Sequence, residues 1–198
     1  MIGHFVYNIS SYSGAAFQAL KLASFIKDRK SLIFNIGNSP KINFFQKNGV
    51  LIIDLPKSYI VRFYYIILFT FKYKIKIYHI HGFVLTGIIP GIFLRRKLVL
   101  KSTMLDDDDL EAISDKSRIN RFYISKIDSI LSISTPLFIK NENYKNRCSL
   151  KITHAKITNG VIIPDKTFKK EIIFLAVGVV IPRKGTLDAI IFFKKNYA

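Results

Sequence analysis

Cysteine is nearly missing from this chain: Cys148 stands alone among 198 residues. That excludes an internal disulfide and a multi-cysteine metal site, fits a reducing compartment, and leaves Cys148 the plain role of a small side chain. Acidic residues are also scarce, 13 Asp and Glu against 31 Lys and Arg, so the net charge is +18. Such a surplus draws the chain toward anions: nucleic acid, anionic headgroups or phosphorylated substrates. The lysines are spread along the chain and not gathered into an arm, and a compositional bias of the source genome produces the same excess of Ile, Lys, Asn, Phe and Tyr. Long apolar runs are lacking too. The longest, residues 64–71 (YYIILFTF), sits between Arg62 and Lys72 and is far short of the ~20 residues that span a bilayer. A helix lying on a membrane and a buried helix both fit it. Met1 leads straight into strand-like residues, without the basic start and small-residue cleavage site of a signal peptide.

What is present is enough to build a core: hydrophobic residues make up 49% of the chain, which argues against disorder. Strand-like and helix-like stretches alternate. Residues 2–9, 31–36, 50–55, 76–81, 97–103, 127–134 and 151–158 read as strands. Residues 15–27, 58–73, 83–95, 110–125 and 136–144 read as helices, the third kinked or broken at Pro90 and the fourth opened by acids that suit a helix N-terminus. The strands are almost continuously apolar, so they belong to a mostly parallel sheet covered on both faces. The expected fold is a doubly wound, Rossmann-like α/β lobe over residues 1–164. Residues 171–179 then read as a new buried strand, 181–185 (IPRKG) as a basic turn and 186–197 as the beginning of a helix. Residues 165–198 therefore look like the start of a second lobe, left incomplete.

Ligands of such sheets sit beyond the C-terminal strand ends. The informative residues fall there: Ser13-Gly14, His81-Gly82, Thr103, Ser134 and Asn159-Gly160. Asn159-Gly160 is a turn signal in its own right. Lys184, in a basic loop before a helix, has the setting of a phosphate ligand, since free N–H groups, dipole and ammonium act together. His79 and His81 alternate along one strand and are read as facing opposite sides of the sheet, one of them a satisfied core histidine. On that reading they form no metal pair. Four consecutive aspartates, Asp106 to Asp109, read as a solvated helix start; adjacent carboxylates do not all converge on one Ca²⁺ or Mg²⁺.

Taken in order, Ser13-Gly14, the H-x-H-G run ending at Gly82, Ser134, Asn159-Gly160-Val161 and Pro182-Arg183-Lys184-Gly185 resemble the group 1 (family 4) glycosyltransferases, retaining enzymes of the two-lobed GT-B architecture. The resemblance covers the family's N-terminal lobe and the start of its C-terminal lobe. It implies that Ser13-Gly14, where the family has Gly-Gly, lies near the donor diphosphate, and that His81 is the mid-lobe histidine facing the transferred sugar. By the same resemblance Thr103 and Ser134 line the cleft, Asn159-Gly160 enters the second lobe, and Lys184 binds the diphosphate. Val179 stands where the family commonly has an arginine. The family's paired glutamates have no counterpart in these residues, which implies a truncated, inactive form.

The implied function is transfer of a sugar from a nucleotide-sugar to a lipid-linked or other saccharide acceptor in surface-polysaccharide synthesis. No metal cofactor is expected, because a cationic loop neutralises the diphosphate. The implied place is the cytoplasm, peripheral to the inner face of the cell membrane. The competing reading is a non-catalytic basic α/β module that binds an anionic membrane or nucleic acid. The chain lacks a zinc-ligand pattern, an RNP-like aromatic strand and a helix-turn-helix, so the transferase reading takes no nucleic-acid partner.

Overall fold

A computed structural model of the chain describes residues 1–9, 14–26, 29–158 and 191. The chain divides into two compact units, Met1–Gly160 and Val161–Ala198. Apart from Ile191, the strand, basic turn and helix expected in the second unit lie outside the described residues.

The first unit is built on one eight-stranded sheet, in the order β3-β4-β2-β1-β5-β6-β7-β8. Its strands are β1 (Ile2–Val6), β2 (Ser31–Ser39), β3 (Asn43–Lys47), β4 (Val50–Pro56), β5 (Ile77–His81), β6 (Lys97–Ser102), β7 (Ser129–Ser132) and β8 (Thr153–Lys156). Every neighbouring pair is parallel except β3 with β4. This is the expected doubly wound α/β sheet. β1 is central. The chain first builds outward through β2 and β4, then returns to the other side of β1 with β5. The reversal opens a crevice at the C-terminal ends of β1 and β5, where sheets of this kind hold ligands.

Both faces are covered. On one side α1 (Gly14–Phe25) turns Ala16, Ala19, Leu20 and Ala23 inward, a helical i, i+3, i+4, i+7 stripe. Its alanines let the helix lie close on Val6, Ile33, Val50 and Ile52. The opposite side carries α2 (Tyr59–Lys72), α3 (Leu85–Phe93), α4 (Leu110–Lys116), α5 (Arg118–Ile124) and α6 (Thr135–Arg147). Phe5, Phe34, Ile66, Tyr78, Ile88, Leu100, Ile113 and Ile130 form the larger core there. α3 seats against the strands through glycine: a Cβ on Gly87 would lie 2.8 Å from Phe5 Cγ, and one on Gly91 2.3 Å from Leu98 Cδ2.

The structure adds to the sequence reading at four points. The fourth helix is two: Ser117, extended at φ −170 and ψ 154, ends α4 and caps α5 by accepting from Asn120 N. Of the two alternatives at Pro90, kink or break, the break is removed: α3 runs through it. β3 was unforeseen. It pairs antiparallel with β4 through a tight turn at Asn48 (φ 51) and Gly49 (φ 74), the signature of a type I′ hairpin. Finally, β7 ends at Ser132, so Ser134 does not close a strand; it stands at the N-cap of α6.

Among the described residues, no helix is long and apolar enough to cross a membrane. α2 is apolar on both sides. Ile66 and Phe69 are buried in the core, while Ile60, Tyr64, Leu68 and Phe71 are exposed along the opposite stripe.

Candidate functional site

A cleft of about 360 Å³ opens at the C-terminal ends of the central strands, lined by Tyr7, Ala15, His81, Gly82, Thr103, Met104, Asp108 and Lys116 among others. It brings together two predicted site residues, His81 and Thr103, with Ala15 beside the predicted Gly14. Gly82 turns the chain out of β5 at φ +80, a conformation that favours glycine, and its N–H donates to Lys101 O at 2.9 Å. Gly14 opens α1 and is exposed. Ser134 is exposed at the start of α6 and is not among the cleft-lining residues. Ser13, Asn159, Gly160 and Lys184 lie outside the described residues.

The aspartate run is not a solvated helix start throughout. Asp106 and Asp107 are exposed, but Asp108 and Asp109 are buried. Asp109 caps α4, accepting from Ala112 N at 3.0 Å, and pairs with Lys140 at 3.2 Å. Asp108 folds the cleft wall: its carboxylate accepts from Thr103 N at 2.8 and 2.9 Å, Thr103 Oγ1 at 2.8 Å, Met104 N at 2.6 Å and Ser102 Oγ at 3.2 Å. Burial pushes its carboxyl up, against the lowering effect of these donors. The Thr103 hydroxyl thus serves the wall itself.

The cleft floor carries the largest departure from the sequence reading. Side chains two apart on a strand share a face, so His79 and His81 do not point to opposite sides. Both project toward α1, their rings stacked at 4.3 Å between centroids. β1 runs in register with β5, pairing His4 with His79, and this adds a third imidazole. His4 Nδ1 lies 3.2 Å from His81 Nε2, and the His4 ring is 5.1 Å from that of His79. All three are buried, at 0, 7 and 4% exposure. Burial lowers the pKa of His4 to about 4 and of His79 to about 3, and holds His81 well below the usual range, so all three are neutral at pH 7. Lys101, paired in register with His81, donates to Gln18 of α1 at 3.0 Å. His4 was missed because nothing local distinguishes it; its strand pattern is that of any buried position.

A second polar cluster lies under α6. Ser132 Oγ meets His154 Nε2 at 2.9 Å, His154 Nδ1 meets Glu142 Oε2 at 2.6 Å, and Asn141 Nδ2 donates to Ser132 Oγ at 2.9 Å. The order resembles a nucleophile-base-acid relay. Ser132, however, has no exposed surface, so no substrate carbonyl reaches it, and the network ties α6 to β7 and β8.

No protein-family model and no curated protein matches the sequence. Solved structures do match the fold. HepE from Anabaena, crystallised in complex with UDP-glucose, superposes with a TM-score of 0.58 at 14% identity, over 81% of this chain and 44% of that one. Sucrose-phosphate synthase from Thermosynechococcus elongatus gives 0.56 at 12% identity, over 79% and 47%. A glycosyltransferase from Rickettsia africae gives 0.55 at 15% identity, over 81% and 43%. This chain therefore spans less than half the length of the proteins it resembles, and what it shares with them is a Rossmann-like α/β fold.

Proposed function

We propose that the chain supplies the acceptor-side lobe of a nucleotide-sugar-dependent glycosyltransferase of the group 1 (family 4), GT-B type, acting with retention on a lipid-linked or other saccharide acceptor in surface-polysaccharide synthesis. In this reading residues 1–164 form that lobe and 165–198 begin the donor-binding one. The observation that carries it is the cleft at the β1/β5 reversal, with His81 in its lining, on a fold shared with proteins crystallised with UDP-glucose. His81 acts at the transferred sugar. Burial favours its neutral form, so it hydrogen-bonds a sugar hydroxyl without bringing a charge to the site. Ser13, Gly14 and Lys184 take the diphosphate, with no metal ion on it, Thr103 lines the cleft, and Asn159 and Gly160 lead into the second lobe. A volume near 360 Å³ is at the small end for a ligand site and suits part of a donor or acceptor.

The same reading places the protein in the cytoplasm, peripheral on the inner leaflet. Its support is the exposed apolar stripe of α2 together with Phe93 of α3, and the exposed basic residues next to them in sequence, Lys72 and Arg95.

The test is addition of UDP-glucose and other sugar nucleotides to the purified chain. The amides of Gly82, Thr103 and Met104 are expected to shift in NMR spectra, and His81→Ala should weaken the effect at least several-fold. The competing reading, a basic module without catalytic function, rests on the +18 charge. It prevails if no sugar nucleotide perturbs the cleft while an oligonucleotide or anionic vesicle binds equally to wild type and His81→Ala.

A further inference from the structure

We propose that His4, His79 and His81 form a binding site for a divalent late transition-metal ion, in the class of Zn²⁺ and Co²⁺, beneath the floor of the cleft. The inference goes beyond the transferase reading and does not rest on it. Three imidazoles from two adjacent strands each offer one nitrogen, and these nitrogens all lie within 4.8 Å of one another. One edge of the site has a donor spacing that an ion can bridge in place of the hydrogen bond His4 Nδ1 now shares with His81 Nε2. Two nitrogens on a tetrahedral Zn²⁺, each bonded at ~2.0–2.1 Å, are about 3.3 Å apart, and His4 Nδ1 and His81 Nε2 are separated by 3.2 Å. Rotation of the His79 ring brings in the third donor. An ion held through Nε2 of His81 leaves that ring's Nδ1 uncoordinated.

The structure also shows a need that an ion would meet. His79 Nε2, the one orphaned nitrogen on the third ring, is buried without a hydrogen-bond partner, a costly state for a polar atom. The donor set selects the class of ion. Neutral imidazole suits Zn²⁺, Co²⁺, Ni²⁺ or Cu²⁺, whereas Mg²⁺ and Ca²⁺ want oxygen. The nearby Lys101 ammonium is held by Gln18 of α1. Three protein ligands leave a coordination position open, and the cleft that His81 lines gives the ion its entry path.

The chain has four histidines, so His154, engaged with Ser132 and Glu142, is an internal control. The purified 198-residue chain is stripped with chelator and titrated with Co²⁺, followed by ligand-field absorption, and with Zn²⁺ by calorimetry. The expected result is one equivalent of Co²⁺ in a four-coordinate spectrum, displaced by Zn²⁺ and not by Mg²⁺. Each of His4→Gln, His79→Gln and His81→Gln should weaken Zn²⁺ binding at least ten-fold, and His154→Gln should leave it unchanged. Absence of stoichiometric binding, or equal loss in His154→Gln, overturns the proposal. Should a cluster variant fail to fold, the wild type decides alone: long-range ¹H–¹⁵N spectra with and without Zn²⁺ should show three imidazoles shifted and His154 unmoved. Any other set of shifted rings refutes the site.

Discussion

Tyr78 is fully buried, tilted against Phe5 at 4.7 Å between ring centroids, with its hydroxyl bonded to Thr70. Burial pushes its pKa up to about 12, against lowering by Thr70 and Arg96. The folded state thus holds the proton between about pH 10 and 12 while the unfolded chain has lost it. Tyr78's contribution is complete below pH 10 and is lost as pH rises toward 12, a change of about 2–3 kcal/mol. Other tyrosines and the lysines titrate in the same range, so a difference measurement is required. Urea midpoints from pH 8 to 12 should fall more steeply for wild type than for Tyr78→Phe, in which Thr70 still bonds Ile66 O. Parallel curves would refute the assignment. Asp108 is a second residue whose partners set the expectation. Asp108→Ala strips acceptors from the Thr103 and Met104 N–H groups, and leaving buried donors unmet costs ~1–3 kcal/mol each. A loss of about 2–4 kcal/mol is expected by urea unfolding, with faster amide exchange at Thr103 and Met104.

At the scale of elements, α3 depends on two glycines for its closeness to the sheet. Alanine at Gly91 would gain ~1 kcal/mol of helix propensity. Its Cβ would meet Leu98 Cδ2 at 2.3 Å and the Tyr78 ring at 2.9 Å. Overpacking of that kind costs ~1–3 kcal/mol, and a contact this short belongs at the upper end, so Gly91→Ala should lower stability by up to about 2 kcal/mol. A midpoint equal to or above wild type would show that α3 is free to shift outward. α4 and α5 show how a short polar signal outweighs a pattern. Residues 110–125 carry apolar positions enough for one helix, yet Ser117 offers its hydroxyl to Asn120 N and the chain restarts there. The Asn48-Gly49 turn is equally a hairpin signal, but residues 43–47 contribute an edge strand with mostly exposed side chains, which leaves little hydrophobic pattern to read.

For the whole molecule, the charge of +18 and the apolar stripe of α2 act together or not at all. Each Lys or Arg near an anionic leaflet contributes about 1 kcal/mol, screened within a Debye length of ~10 Å at 0.1 M salt. Co-sedimentation with anionic vesicles should be strong at low salt, fall at high salt, and fall further in Ile60→Ser/Leu68→Ser. Equal recovery with neutral and anionic vesicles at either salt would remove the membrane reading and leave the charge as a matter of composition.

By itself the sequence determined the alternation of strands and helices, and with it a parallel sheet covered on both faces. Those properties follow from local spacing and from apolar runs too continuous for a half-exposed strand. It also placed His81 and Thr103 at strand ends, because the ends of apolar runs are visible in the chain. Only the tertiary structure decided which residues meet. His4 and His81 are 77 residues apart, and their contact depends on the register of β1 against β5, which local periodicity does not encode. The same holds for Asp108 and Asp109: four identical residues in a row look alike in sequence, and the turn before α4 determines which carboxylates go inward. α2 follows this rule as well. A helix apolar on both sides reads as buried until the sheet has taken one face, and which stripe is left over follows only from the packing of the described residues.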